Sequence, residues 1–362
     1  MPAQSRSEAT RSEAMMRALR LVAPGTQLRE GLDRILQARM GALIVIGDGP
    51  DVLSVCSGGF LLDSEFTPQR LSELAKMDGA IVLAADCSRV ARANVHLVPD
   101  PNVPTSETGT RHRTAERVGR QIDVPVISVS EDMTVVTIHR QGQKHTLEPI
   151  PQVLARADQA LQILGRYKIR LDSVSGSLSA LEVEDLVTVR DVATVLQRAE
   201  MVRRVSEEIE GYVVELGADG RLVMLQLEEL MGGVEEDRRL VAKDYFESSP
   251  GVELANVMHE LATLDDELLL DLHEVARVLH LASDIGVDGA MQPRGFRLLH
   301  KIPRLPEIVS DHVVARFSNL QKIMRAGLDD LTEVDGVGDV RARAIKEGLS
   351  RLAETSILER YV

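Results

Sequence analysis

The sequence predicts a multidomain chain of α and β structure: an N-terminal α/β domain with a mixed central sheet flanked by helices, then a central helical spine, then a helical tail that turns on glycines. Three observations predict it. Short apolar β-rich runs alternate with helical periodicity as far as about residue 150. Longer Leu- and Val-rich helical periodicity with Glu and Asp on the outer faces follows. The C-terminal stretch then carries an internal repeat. The boundaries read from these changes are 1–150, 151–290 and 291–362. With 362 residues, 44% of them hydrophobic, the chain can bury more than one core.

From Met15 to Met40 the apolar positions recur at helical spacing, broken at Pro24-Gly25, which predicts two helices and a turn. Ala42 to Ile46 reads as a strand. The cluster Gly47-Asp48-Gly49-Pro50 reads as a hairpin turn, with Val52 to Cys56 as a second, shorter strand. A helix from Pro68 to Lys76 precedes the apolar strand Ala80 to Ala85, and Val126 to Val129 and Val135 to His139 complete the β-rich set. Past Pro149-Ile150-Pro151, Val183 to Glu210 and Val252 to Ser283 read as helical, and polar patches such as Asp172 to Ser179 read as joints between helices.

Net charge is −14, from 42 Lys+Arg against 56 Asp+Glu, an average that argues against an anionic partner. Its distribution removes that argument. Residues 1–180 carry 21 basic and 20 acidic side chains, residues 181–290 carry 9 and 26, and residues 291–362 carry 12 and 10. The acidity belongs to the helical middle, where it reads as a solvated face, and the two ends remain open to anionic ligands. The two cysteines, Cys56 and Cys87, stand in neither a paired nor a metal-ligand spacing, which suits a reducing cytosol. Apolar runs fall far short of the ~20 residues a membrane helix needs, and no basic-then-apolar signal pattern opens the sequence, so the expectation is a chain neither exported nor inserted.

Leu331-Thr332-Glu333-Val334-Asp335-Gly336-Val337-Gly338-Asp339-Val340-Arg341-Ala342-Arg343-Ala344-Ile345 fits a helix-hairpin-helix pattern. Gly336, Val337 and Gly338 let the backbone turn tightly and approach a phosphate, and Arg341, Arg343 and Lys346 add charge, giving DNA-backbone contacts with little sequence information. A shift of 32 residues aligns Leu299, Ile302, Leu305 and Val313 with Leu331, Val334, Val337 and Ile345. The first copy has Arg304 and Pro306 in place of the glycines, so its expected role is packing more than phosphate binding, with Arg304 still able to reach DNA. The same Gly-Val-Gly turn would also serve to join two helices for purely structural reasons.

At the N-terminal end the Walker pattern is absent, and Gly47 to Val52 lacks the third glycine of a dinucleotide fingerprint. Two other segments carry chemistry. In Met77-Asp78-Gly79-Ala80, a carboxylate precedes a glycine at the entry to an apolar strand, suited to hold a divalent metal or to draw a proton from a hydroxyl. In Gly109-Thr110-Arg111-His112-Arg113-Thr114, a polar loop becomes a helix whose dipole favours anions, with Arg111 and Arg113 as forked donors for phosphate oxygens. Taken singly, the first is also an ordinary Asp-Gly turn and the second an ordinary basic surface turn.

Together, Asp78-Gly79-Ala80 and Arg111-His112-Arg113 resemble the signature of the diadenylate cyclase domain. With the helical spine and helix-hairpin-helix tail, nearly the whole chain looks like a member of the DNA integrity scanning (DisA) family. The resemblance implies that two ATP molecules are joined into cyclic di-AMP with release of two pyrophosphates, with Mg²⁺ or Mn²⁺. It implies Asp78 as the metal-associated carboxylate near the attacking 3′-hydroxyl, Gly79 and Ala80 beside the nucleotide, and Leu97 against adenine. Thr110, Arg111, His112, Arg113 and Thr114 would hold the phosphates, with Ser130 beside them; Asp78, Arg111 and His112 make up the catalytic set. It further implies a homo-octamer with cyclase domains face to face, a cytoplasmic and nucleoid-associated location, and sequence-independent binding of branched or junction DNA that lowers cyclase output in response to damage. A two-fold symmetric product also demands two facing copies of the site. The competing expectation is a DNA-binding scaffold that senses ATP without chemistry.

Overall fold

The computed structural model describes residues 12–246, 253–281 and 286–360, with side chains described to residue 355. They fall into two compact units, one holding residues 12–160 with 208–226, the other residues 161–207 with those from 227 onward. The first unit draws residues 208–226 from the expected spine. Ala218 N–H donates to the Pro24 carbonyl at 3.0 Å, and His145 Nε2 lies 3.1 Å from a Glu215 carboxylate oxygen.

The first unit is built on an eight-stranded mixed sheet. In chain order its elements are α1 (Glu13–Leu21), α2 (Gln27–Gln37), β1 (Ala42–Ile46), α3 (Pro50–Ser54), β2 (Cys56–Ser57), β3 (Phe60–Glu65) and α4 (Pro68–Leu74). They continue with β4 (Ala80–Leu83), β5 (Arg89–Leu97), α5 (Thr110–Gln121), β6 (Val126–Ser130), β7 (Val135–Arg140) and β8 (Gln143–Thr146). The strand order is β2-β5-β4-β1-β6-β7-β8, with β3 also paired to β5. β1 and β4 run parallel and every other pair is antiparallel. β1 is buried at every position because the sheet is covered on both faces. Ala42, Ile44 and Ile46 enter a core with Leu19, Leu32, Ile35 and Leu71 of α1, α2 and α4. Leu43 and Val45 enter a second core with Val52 of α3 and Ala115 and Val118 of α5. The expected mixed sheet flanked by helices is therefore what the chain forms.

Four local expectations are corrected. Gly47 to Pro50 is no hairpin turn: the chain passes from β1 into α3, with Pro50 at the first helical position, and the expected strand Val52 to Cys56 is mostly that helix. Proline there has its φ preset and no N–H to waste, and burial of Val52 fixes the short helix on the sheet. Of the five expected strands four form, the fifth survives only as Cys56 in β2, and β3, β5 and β8 complete the eight. Asp172 to Ser179 is no joint, lying inside the 35-residue helix α6 (Ile150–Glu184). The Ser177 and Ser179 hydroxyls donate back to the carbonyls of Ser173 and Ser175, which satisfies them within the helix. The break falls instead at Asp185, with φ +59, before α7 (Val189–Leu216), so Val183 to Glu210 is not one helix.

After α8 (Arg221–Met231), the second unit continues with α9 (Val234–Tyr245), α10 (Leu254–Thr263), α11 (Asp266–Leu269) and α12 (Leu272–Val278). Val252 and Ser283, the expected ends of the later helical stretch, lie outside the described residues. The tail consists of α13 (Phe296–His300), α14 (Glu307–Phe317), α15 (Leu320–Arg325), α16 (Leu328–Thr332) and α17 (Asp339–Arg360). Leu299, Ile302 and Val313 of one copy of the repeat share a single core with Leu331, Val334, Val337 and Ile345 of the other. Beneath this core Arg297, 1% exposed, reaches Glu182 at 2.7 Å, and the Asp244 carboxylate accepts from the N–H groups of Gly295, Phe296 and Arg297.

Candidate active site and nucleic-acid interface

Strand register gathers the sequence-predicted residues of the first unit at one end of the sheet. Leu43 pairs with Ala80, Ala80 with Val95, and Ala42 with Val129, so β1 and β4 begin where β5 and β6 finish. Asp78 and Gly79 immediately precede Ala80, Leu97 lies two residues past Val95, and Ser130 follows Val129. Arg111 belongs to the same end. Its guanidinium fills the space beside Gly41, just before β1, so closely that a Cβ added there would lie 2.0 Å from Nη1.

The Asp78-Gly79 turn is held by its backbone. Gly79 has φ +96, and a Cβ on it would lie 2.9 Å from both the Asn94 carbonyl carbon and the Val95 oxygen, so glycine is required twice over. Asn94, itself at φ +54, donates from Nδ2 to the Asp78 carbonyl at 2.6 Å. The Asp78 main chain is thereby fixed while its side chain stays on the exposed surface.

Helix α5 opens at Gly109 with no side-chain cap and no acidic residue in its first turn. Its first N–H groups remain available to an anion, with Thr110, Arg111, His112, Arg113 and Thr114 on that turn. The loop before it is fixed from below by Glu116, 5% exposed. The Glu116 carboxylate accepts from Thr105 Oγ1 at 2.6 Å, the Ser106 N–H at 2.9 Å, the Glu107 N–H at 3.3 Å and Arg120 at 2.7 Å. Burial alone would raise its pKa, but the bonds from Thr105, Ser106 and Arg120 outweigh that and pull it down to about 2.

The same helix carries His112 and covers a second histidine. His139 of β7 is 1% exposed, and Gly119 of α5 sits so close that a Cβ would come within 2.9 Å of the His139 carbonyl. Its Nε2 is 3.3 Å from Ser128 Oγ, while Nδ1 of both His139 and His112 is buried with no hydrogen-bond partner. Burial first, aided by the charges of His112 and Lys144 and opposed by Glu107 and Glu116, brings the His139 pKa down to about 4, so the ring is neutral at pH 7.

Glu116, Asn94 and His139 are the residues that sequence reasoning passed over. Asn94 had one legible signal, since asparagine tolerates a left-handed backbone. Among the described residues no group of three or more His, Cys, Asp and Glu could hold a metal ion. Asp78 offers a single hard oxygen donor, which fits a magnesium-like ion that draws its remaining ligands from water and substrate phosphates.

In the tail, Gly336 has φ +82 and Gly338 faces open space, both exposed before α17. Arg341 and Arg343 are exposed, and Arg341 donates to the Gly336 carbonyl at 2.6 Å. Val337, expected at the interface, puts its side chain into the core and leaves only its backbone at the turn. Lys346 reaches inward to the Met324 carbonyl at 2.8 Å.

Residues 29–144 match the family model described as DisA bacterial checkpoint controller nucleotide-binding, and residues 147–286 match the DisA bacterial checkpoint controller linker region. The DNA integrity scanning protein DisA of Frankia alni is 57% identical over 346 residues, covering 95% of this chain and 96% of that protein. Its namesake in Streptomyces coelicolor is 54% identical over 365 residues, covering 100% and 98%. A solved structure of DacA from Staphylococcus aureus is 22% identical, covers 36% of this chain and 86% of its own, and has a TM-score of 0.28. No helix among the described residues is long and apolar enough to cross a membrane. On the two family models and the near-full-length relatives, the chain belongs to the DisA family.

Proposed function

We propose that the chain is a diadenylate cyclase that condenses two ATP molecules into cyclic di-AMP and two pyrophosphates, with its output coupled to DNA bound at the tail. The 3′-oxygen of each ATP attacks the α-phosphorus of the other, the bond from that phosphorus to the bridging oxygen breaks, pyrophosphate leaves with that oxygen, and the hydroxyl proton passes to solvent. The observation that carries the reading is the convergence of Asp78-Gly79 with Arg111 and the open first turn of α5 at one end of the sheet.

Asp78 would hold Mg²⁺ or Mn²⁺, and the ion when bound would supply charge neutralisation at the phosphates. Gly79 and the buried Ala80 let the nucleotide approach the backbone, and Leu97, 5% exposed with its side chain packed in the core, meets adenine through its main chain. Thr110, Arg111, His112, Arg113, Thr114 and Ser130 bind the phosphates, and the α5 dipole with Arg111 and Arg113 offsets charge on the leaving pyrophosphate. Most of the acceleration comes from positioning two ATP molecules in line, which needs two copies facing each other. The homo-octamer of face-to-face cyclase domains meets that need. In the tail, Gly336, the Val337 backbone, Gly338, Arg341 and Arg343 form a helix-hairpin-helix contact to DNA phosphates, with Lys346 behind them, and branched DNA lowers the cyclase rate. In the cell this places the chain in the cytoplasm at the nucleoid.

Asp78→Asn tests the assignment in a cyclase assay with chromatographic detection of the dinucleotide. Turnover should fall at least a hundredfold with an unchanged elution profile on size exclusion. Turnover equal to wild type would remove Asp78 from the chemistry.

A further inference from the structure

Three left-handed residues stand together where β3, β4 and β5 meet the site end of the sheet. Gly59, just before β3, has φ +80, Gly79, just before β4, has φ +96, and Asn94 of β5 has φ +54. They are in contact. A Cβ on Gly59 would lie 3.0 Å from the Asn94 oxygen, and one on Gly79 would lie 2.9 Å from the Asn94 carbonyl carbon. Asn94 also belongs to a bulge. Between the pairs Ala80–Val95 and Val82–Arg92, β5 carries Ala93 and Asn94 where β4 carries Ile81 alone. Bulges beside sites re-aim side chains, and this one turns Asn94 so that Nδ2 donates to the Asp78 carbonyl at 2.6 Å.

The backbone alone has no need of asparagine here. Glycine adopts a left-handed φ with less strain, as it does on both neighbouring segments. What asparagine adds is its amide, and the partner of that amide is the main chain of the metal-assigned residue. The Asp78 carboxylate itself is exposed, and no side-chain hydrogen bond or ion pair holds it among the described residues. Its direction is therefore set through the main chain, which Gly79 bends and Asn94 ties down. The tie has a second end. Leu97, assigned to adenine through its main chain, lies three residues beyond Asn94, and Val95 between them pairs with Ala80. The adenine contact and the metal carboxylate thus rest on two segments joined at Asn94.

We propose that Asn94 is a positioning residue for the cyclase reaction. Its amide holds the Asp78 turn in register with the adenine-binding end of β5, so that base and metal-bound phosphates are presented to the facing site at a fixed spacing. The inference rests on the cyclase reading and adds to it a residue outside both motif segments.

The test uses the full chain with two variants. Asn94→Gly keeps the left-handed backbone and removes the amide; Asn94→Asp keeps the shape but sets an oxygen against the Asp78 carbonyl. Because the bond is exposed, Tm should stay within about 4 °C of wild type in circular dichroism. At saturating ATP and Mn²⁺, kcat should fall about tenfold to a hundredfold. A second readout needs no turnover. Calorimetry with 3′-deoxy-ATP, which lacks the nucleophile, should give metal-free affinities within about twofold of wild type, while the tightening that Mn²⁺ brings shrinks about tenfold. If Asn94→Gly keeps the wild-type kcat and the wild-type effect of Mn²⁺, or if both variants lose activity only in proportion to the unfolded fraction, Asn94 serves the fold alone and the proposal is overturned while the cyclase reading stands. A wild-type chain that forms no dinucleotide with either metal overturns the cyclase reading as well.

Discussion

Replacing Glu116 by Gln tests how the phosphate-facing turn of α5 is held. The carboxylate is 5% exposed and accepts five hydrogen bonds, from Thr105, the N–H and the hydroxyl of Ser106, Glu107 and Arg120. Its pKa falls from 4.5 to about 2 on folding. Because the folded value is the lower one, the ionised carboxylate stabilises the fold fully above pH 4.5, and that contribution drains away as the pH falls from 4.5 towards 2. A shift of about 2.5 pH units corresponds to about 3 kcal/mol. Glutamine keeps one acceptor but turns an amide N–H₂ towards either Arg120 or the Thr105–Glu107 donors, so most of that contribution is lost. For a unit of this size, about 3 kcal/mol is roughly 6–12 °C in Tm. Thermal melts followed by circular dichroism from pH 7 to pH 3 should show a gap of that size at pH 7 that narrows below pH 4.5. A gap absent at pH 7, or constant across the range, would refute the argument that a buried ionised carboxylate fixes the loop.

Gly79→Ala should cost about 1–3 kcal/mol, because alanine is strained at φ +96 and its Cβ meets the β5 backbone; moving the adjacent Asp78 by even ~1 Å should lower kcat on the order of a hundredfold, and a variant with wild-type kcat and Tm would contradict the packing described. Arg297→Ala leaves Glu182 buried and uncompensated, at a cost of about 3–5 kcal/mol in the second unit. Arg297→Met combined with Glu182→Leu should recover much of that loss by denaturation, and a single variant within about 1 kcal/mol of wild type would show the pair to be unimportant.

What the sequence made legible follows from how each element is buried. β1 and β4 were visible because both of their faces are covered, which turns them into unbroken apolar runs, and β6 and β7 because Val and Ile cluster around the buried Ser128, Thr137 and His139. β3 was hidden because Phe60 and Leu61 are exposed at 58% and 71% and show no alternation of burial. β5 is interrupted by irregular pairing with β3 and β4. Proline and serine around a short apolar pair concealed α3. At the candidate site, Asp78, Gly79 and Arg111 were legible through their resemblance to the diadenylate cyclase signature. Glu116 and Asn94 were not, because what they hold lies several residues away or on another strand and no local pattern records it. The tail shows the same division: the repeat was plain in the apolar positions, while the left-handed Arg304 became visible only in the backbone.

The central claim is that two copies of this site condense ATP, and the most direct measurement is product formation by the purified full-length chain. Incubation with ATP and Mg²⁺, and separately Mn²⁺, should yield cyclic di-AMP and pyrophosphate in a one-to-two ratio, with the rate per chain rising as dilution is reversed and the facing copies reassemble. Binding of ATP under both metals with no dinucleotide product at any protein concentration would contradict the account and leave an ATP-sensing scaffold in its place.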